Sequence, residues 1–193
     1  PTDFLNADVN IMPVPGTREP LYQIGFICSP PEKNGQRPAV LMPNPFYHVY
    51  QGAAMAGGAE AVYLPAEPEN NFFPCLEDLS TDLLQRTAIF FLCSPANPQG
   101  TVADKAYLKK LIELAREHDF TLAFDECYCE IYRDDPPLGG LQVCAELGLG
   151  VSNVLSFNSL SKRSSAPGLR SGFIAGDPKI IKRYGQFVTF GGA

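Results

Sequence analysis

Six short apolar runs, set apart by polar or amphipathic segments, constrain this chain more than any other feature. They are AVLM (39–42), AVYL (61–64), AIFFLC (88–93), TLAFDE (121–126), NVLSF (153–157) and SGFIAG (171–176). Each is the length of a buried strand, and most are rich in β-branched or aromatic residues, so each predicts a strand covered on both faces. In DKAYLKKLIELAREHD (104–119), Leu108, Leu111, Ile112 and Ala115 share one face and Lys, Glu and Arg the other, which predicts a helix. REPLYQIGFIC (18–28) is helical in pattern as well, while PPEKNG (30–35) and RDDPPLGG (133–140) predict surface loops. Strands alternating with helices make an α/β fold around a mostly parallel sheet, with no internal repeat or low-complexity segment.

Sheets of this kind hold ligands at the carboxyl ends of their strands. Polar residues succeed the runs at those ends: SPANPQG after AIFFLC, DECY after TLAF, and NSLSK after NVLSF. An Asn, an Asp, a Tyr and a Lys on one rim suit a planar, anionic heteroaromatic ligand. The Lys can form an imine with an aldehyde, the Asp can keep a ring nitrogen protonated, and the Asn and Tyr can donate to a ring oxygen. Gly16 and Thr17, just before the 18–28 segment, offer backbone N–H groups and a hydroxyl to a phosphate. Arg170, eight positions after Lys162, is placed to grip the same phosphate.

A net charge of −6 argues against a nucleic-acid or anionic-membrane surface and favours a small-molecule role. No apolar run approaches the roughly 18 residues of a membrane span. The start, PTDFLNADVN, has neither the basic region nor the apolar core of a signal peptide, so the expected address is the cytoplasm. Cys28, Cys75, Cys93, Cys127, Cys129 and Cys144 lie mostly within apolar stretches and in no zinc-ligand spacing. They are expected to be free, mostly buried thiols, with no metal site. GLGVSN (148–153) imitates a dinucleotide fingerprint but ends in Asn153 and comes after a helical segment, so it is rejected.

Five segments in order, GTRE (16–19), PNPFYHVY (43–50), SPANPQG (94–100), DECY (125–128) and SLSKRSSAPGLRSG (159–172), resemble the class I/II aminotransferases, pyridoxal-phosphate enzymes of fold type I. The resemblance implies a three-layer α/β/α large domain with a mostly parallel sheet and pyridoxal 5'-phosphate as cofactor. It implies that Lys162 carries the cofactor on its amine and moves the proton at the substrate α-carbon, and that Asp125 pairs with the ring nitrogen. Asn97 and Tyr128 would then hydrogen-bond the ring oxygen, and Tyr47, with Phe46 and Tyr50 as rivals, would stack on the ring. Gly16, Thr17, Ser159 and Arg170 would form the phosphate cup, with Arg18 beside it. Simpler roles compete: Asp125 as a strand end or cap, NPQG as an ordinary turn, Thr17 as a helix cap, Cys127 and Cys129 as packing.

Family members also have an N-terminal arm and a smaller C-terminal domain, so residues 1–193 are expected to be the cofactor-binding large domain alone. The family's α-carboxylate arginine lies in the absent part. Three stretches, NIMPVPGTREPLYQIGFIC, PNPFYHVYQGAAMAGG and CSPANPQGTV, most resemble the succinyldiaminopimelate aminotransferases of lysine biosynthesis. That likeness implies amino transfer between glutamate and an N-succinylated 2-amino-6-oxo-heptanedioate, whose further carboxylates call for additional cations; Arg18 and Arg163 are candidates, with a plain surface position as the alternative for either. A homodimer is expected, with amino-acid and 2-oxo-acid substrates and no nucleic-acid or membrane partner. Two other readings stay open: a different pyridoxal-phosphate enzyme such as a β-lyase, and a non-catalytic ligand-sensing module.

Overall fold

The computed structural model describes residues 4–191. In chain order its elements are α1 (Ala7–Asn10), β1 (Ile11–Val14), α2 (Arg18–Cys28), β2 (Ala39–Asn44), α3 (His48–Ala56), β3 (Glu60–Pro65), α4 (Thr81–Arg86), β4 (Thr87–Cys93), α5 (Lys105–Glu117), β5 (Thr121–Asp125), α6 (Gly140–Glu146), β6 (Val154–Ser159), α7 (Leu160–Arg163), β7 (Gly172–Gly176) and α8 (Pro178–Val188). The strands form one seven-stranded sheet in the order β1-β7-β6-β5-β4-β2-β3. The neighbours from β3 through to β6 are parallel, and β7 runs against both β6 and β1. All six apolar runs are strands of this sheet, as expected.

Alternation along the central strands divides the core into two layers of side chains. Val40, Met42, Ile89, Phe91, Ala123, Leu155 and Phe157 face one side, where they meet Leu21 and Ile24 of α2, Tyr50 and Ala53 of α3, and Ile181 and Tyr184 of α8. Leu41, Phe90, Leu92, Leu122, Phe124 and Val154 face the other, against Leu108, Leu111, Ile112 and Ala115 of α5 and Val143 of α6. The result is the three-layer α/β/α arrangement. Helix α5 begins where Asp104 accepts the Tyr107 N–H at 2.8 Å, an N-cap that satisfies one of the open donors of the first turn. Helices α2 and α3 approach closely because Gly25 has no side chain: a Cβ there would lie 2.0 Å from the Ala53 carbonyl oxygen.

Three features differ from the sequence reading. Strand β1 was not anticipated, because Ile11–Val14 is an edge strand with one buried residue and a proline. The reversal of β7 is invisible in its apolar run. The thiols are all free, but only Cys144 is buried and the other five are half-buried, which corrects the expectation of mostly buried cysteines. The reason is position: Cys93 ends β4, Cys28 ends α2, and Cys127 and Cys129 lie in the turn after β5, not at strand centres. Among the described residues no helix is long and apolar enough to cross a membrane, and no cluster of His, Cys, Asp and Glu could hold a metal ion.

Candidate active site

A cavity of about 490 Å³ opens at the carboxyl ends of the parallel strands. Its walls include Thr17, Arg18, Tyr47, Asn97, Asp125, Tyr128, Ser159, Lys162 and Arg170, so the structure brings together the sequence-selected site residues except Gly16, which lies against Arg170, and Arg163.

Asp125, the last residue of β5, forms the floor and is only 5% exposed. Tyr50 donates its hydroxyl to Asp125 Oδ2 at 2.7 Å, and the Cys127 N–H donates to Oδ1 at 3.3 Å. Burial pushes the Asp125 carboxyl above its usual range, and the hydrogen bonds from Cys127 and Tyr50 offset only part of that. No cationic side chain pairs with it among the described residues. Its neighbours are themselves acids: Tyr50, Cys93, Cys127 and Tyr128 are all pushed upward, first by burial and with a further contribution from the Asp125 charge beside them.

Tyr50 stood out in the sequence only as a rival for ring stacking. It stacks on Phe91 instead (centroids 4.5 Å apart, planes at 8°) and commits its hydroxyl to Asp125. Tyr47, three positions earlier, is the N-cap of α3, and its ring stands perpendicular to that of Tyr50 with centroids 5.7 Å apart. Across the cavity, Asn97 Nδ2 donates to the Tyr128 hydroxyl at 3.3 Å, joining the turns beyond β4 and β5.

At the cup, Gly16 has φ of +82°, a conformation that favours glycine, and a Cβ on Gly172 would fall 3.3 Å from the Gly16 Cα. Thr17 caps α2 without a side-chain hydrogen bond, so the plain capping role is not taken. Its Oγ1 lies 3.0 Å from Cys127 Sγ, which in turn lies 3.9 Å from Ser159 Oγ. Ser159 caps the single turn of α7 by accepting the Ser161 N–H at 3.3 Å. Arg170 donates to the carbonyls of Pro15 and Pro167, each at 3.2 Å, and lies 3.7 Å from Glu19. Lys162 is exposed in the cavity wall, and its ammonium has no hydrogen bond or ion pair among the described residues. Arg163 turns away to Glu130 at 3.5 Å and is not part of the cavity wall.

A second buried carboxylate, Glu126, escaped sequence reasoning. It accepts the Gly140 N–H at 2.7 Å, the Ser156 hydroxyl and Asn158 Nδ2, and so ties the turn after β5 to β6 and to the start of α6. Adjacent residues at a strand end point to opposite faces, which sends Asp125 to the cavity and Glu126 away from it.

The fold and this rim define an α/β domain of the aminotransferase type. The pattern of the family "Aminotransferase class I and II" matches residues 2–191, and the chain belongs to that family, which depends on pyridoxal 5'-phosphate. Among solved structures, an aminotransferase from Neisseria meningitidis Z2491 is 42% identical with a TM-score of 0.91, over 98% of this chain and 48% of that one. Among curated relatives, an LL-diaminopimelate aminotransferase from Syntrophobacter fumaroxidans is 35% identical over 76% of this chain and 37% of its own length. Capreomycidine synthase from Streptomyces vinaceus is 36% identical over 69% of this chain and 33% of its own length. The chain thus spans less than half the length of these relatives. The residues present suit the cofactor on physical grounds: a buried carboxylate without a cation faces the cavity, a lysine without a partner stands in its wall, and two glycines leave a cradle beside an arginine.

Proposed function

We propose that residues 1–193 are the cofactor-binding large domain of a pyridoxal-phosphate-dependent aminotransferase, which moves an amino group between an amino acid and a 2-oxo acid. The observation that carries this reading is Asp125: a carboxylate held out of water with no cation of its own is a standing demand for a positively charged ligand group. When bound, the cofactor supplies an aldehyde for amines and a ring that draws electrons from the substrate α-carbon. Asp125 holds the ring nitrogen in its protonated form, and Tyr50 and the Cys127 N–H hold Asp125. Asn97 and Tyr128 bind the ring oxygen, and Tyr47 covers the ring. Gly16, Thr17, Ser159 and Arg170 take the phosphate, with charge-assisted hydrogen bonds from the arginine. Lys162 would hold the cofactor and, once the substrate amine has taken its place and freed Nζ, would accept a proton from the substrate α-carbon and return it.

For substrate we propose N-succinyl-LL-diaminopimelate with 2-oxoglutarate, in lysine biosynthesis, in a cytoplasmic homodimer. Relatives named LL-diaminopimelate aminotransferase, at 30% identity over 96% of this chain in Halothermothrix orenii, support a diaminopimelate skeleton. A second reading, another pyridoxal-phosphate enzyme on the same scaffold, draws on the likeness to capreomycidine synthase. The test is a titration with pyridoxal phosphate, then borohydride reduction and peptide mapping. A reduced adduct on Lys162, lost in Lys162→Ala, is the expected result, and an adduct elsewhere would overturn the site. Turnover of an amino acid only when a 2-oxo acid is present then separates amino transfer from the second reading.

A further inference from the structure

One residue of the cavity wall touches both ends of the seat proposed for the cofactor, and its thiol has no task in the function above. Cys127 stands two residues past Asp125 in the turn after β5, and its N–H is one of the two donors that hold Asp125. Its side chain turns to the cup: Sγ lies 3.0 Å from Thr17 Oγ1 and 3.9 Å from Ser159 Oγ. Both of those residues are buried, at 9% and 3% exposure. The Thr17 hydroxyl makes no cap bond to its own helix, and Cys127 Sγ is its one hydrogen-bond partner among the described residues. Neither arginine of the wall orients it: the Arg18 Nε–H donates to the Tyr47 hydroxyl at 3.0 Å, and Arg170 donates to the carbonyls of Pro15 and Pro167.

The direction of the Thr17–Cys127 contact decides what Thr17 can do. A hydroxyl has one proton to donate and lone pairs to accept with, whereas a thiol is a weak donor and a weak acceptor. If Thr17 spends its proton on the sulfur, it meets a phosphate with lone pairs, oxygen against oxygen. If the thiol donates to Thr17, the hydroxyl proton is left for the phosphate, and the S–H···O–H chain polarises that donor. The thiol can act in this way only while it keeps its proton. Burial and the Asp125 charge both oppose a thiolate here, which also keeps a second anion away from a cup that takes a phosphate. Ser159 is set up separately: its Oγ accepts the Ser161 N–H at 3.3 Å, so its own proton is free for a ligand.

We propose that Cys127 is a positioning residue for the phosphate: its thiol donates to Thr17 Oγ1 and thereby leaves the Thr17 hydroxyl as a donor aimed into the cup. The inference rests on the cofactor assignment above and deepens it, because it makes a residue beside Asp125 control how much of the cofactor affinity comes from the phosphate. The competing role is packing, in which the sulfur only fills the space between Asp125 and Thr17.

The test titrates the protein with pyridoxal phosphate and with pyridoxal, which has the same ring and aldehyde but no phosphate, and follows cofactor absorbance. The readout is the ratio of the two dissociation constants, which isolates the phosphate contacts and does not respond to a general loosening of the site. Cys127→Ala should lower the preference for the phosphorylated form by about three- to fivefold, the lower part of the range for one hydrogen bond. Cys127→Val, which fills the space without a donor, should do the same, and Cys127→Ser, which keeps a donor, should stay within about 1.5-fold of the unaltered protein. With Thr17→Val already in place, Cys127→Ala should leave the ratio unchanged, because the acceptor of its proton is gone. Equal losses for the two compounds, or a full preference in Cys127→Val, overturn the proposal in favour of packing. Losses that multiply in the double variant overturn it as well, since the sulfur then acts on something other than Thr17. An unaltered protein that shows no cofactor absorbance, or that binds pyridoxal as tightly as pyridoxal phosphate, refutes the cofactor reading itself, and this inference falls with it.

Discussion

Replacing Asp125 with asparagine should stabilise the cofactor-free protein while disabling it. The ionised carboxylate sits in the floor of the cavity with two hydrogen-bond donors and no cation. Taking a carboxylate out of water costs several kcal/mol even after the surroundings relax, say about 5. Two hydrogen bonds to a charge return about 1.5–3 kcal/mol each, toward the lower end for the longer one. A net penalty of about 1–2 kcal/mol remains, in the direction of the raised carboxyl pKa. Below the unfolded carboxyl pKa, near 4, both states are protonated and the folded state keeps its full stability. As pH rises, the unfolded chain loses its proton first, so stability falls until the folded-state pKa is passed. Asparagine has no proton to lose, so the advantage of Asp125→Asn should grow from about pH 4 and level off at about 1–2 kcal/mol, a rise in Tm of roughly 3–6 °C for a domain of this size. Thermal unfolding of both cofactor-free proteins at a series of pH values measures it. A variant less stable than the parent at pH 8, or a difference that does not change with pH, would refute the idea that Asp125 is a charge waiting for a partner. Added pyridoxal phosphate should reverse the order by stabilising the parent more than the variant.

Gly25→Ala should lower stability by at least about 2 kcal/mol, because its methyl would meet the Ala53 carbonyl and force α2 and α3 apart; urea unfolding with an unchanged midpoint would sink this account of the packing. Lys33 donates its ammonium to the carbonyls of Thr87 at 2.6 Å, His118 at 2.8 Å and Asp119 at 2.7 Å, tying the loop before β2 to the start of β4 and the end of α5. Lys33→Met should cost about 2 kcal/mol, less than three full charged hydrogen bonds because the site is half-exposed and water replaces part of the loss, and calorimetry showing no change in Tm would refute it.

The central strands were legible because burial on both faces leaves continuous apolar runs, and α5 because its two faces differ in polarity. Strand β1 was not, since an edge strand with one buried residue carries no such run. Helix α3 was not read either, because HVYQGAAMA is small and weakly patterned, and only its contact with the sheet makes it a core element. The same division holds at the site. Asn97, Asp125, Ser159 and Lys162 could be picked out because each sits at or just past the end of a strand run, and the rim of a parallel sheet gathers the residues at its strand ends. The Tyr50–Asp125 bond and the Arg18–Tyr47 bond join residues 75 and 29 positions apart, on elements whose mutual placement no local pattern encodes. The Glu126 network was hidden because its partners, Ser156 and Asn158, are read from sequence only as members of a buried strand or its end.

The antiparallel β7 bears on how the protein is made. Val14 and Ser159 both align with Gly172, and the backbone bond from Leu160 to Ser171 closes the base of the loop that carries Lys162 and Arg170. Strand β1, which leads into Gly16, has no other neighbour in the sheet among the described residues. During synthesis at about 5–20 residues per second, the N-terminal strand therefore waits roughly 8–30 s for its partner to emerge. Until then the two halves of the cup, Gly16 with Thr17 and Ser159 with Arg170, are not held together. The walls beyond β2, β4 and β5 do not need β7, but the phosphate end of the rim closes only when β7 docks, so full retention of the cofactor becomes a report of that step.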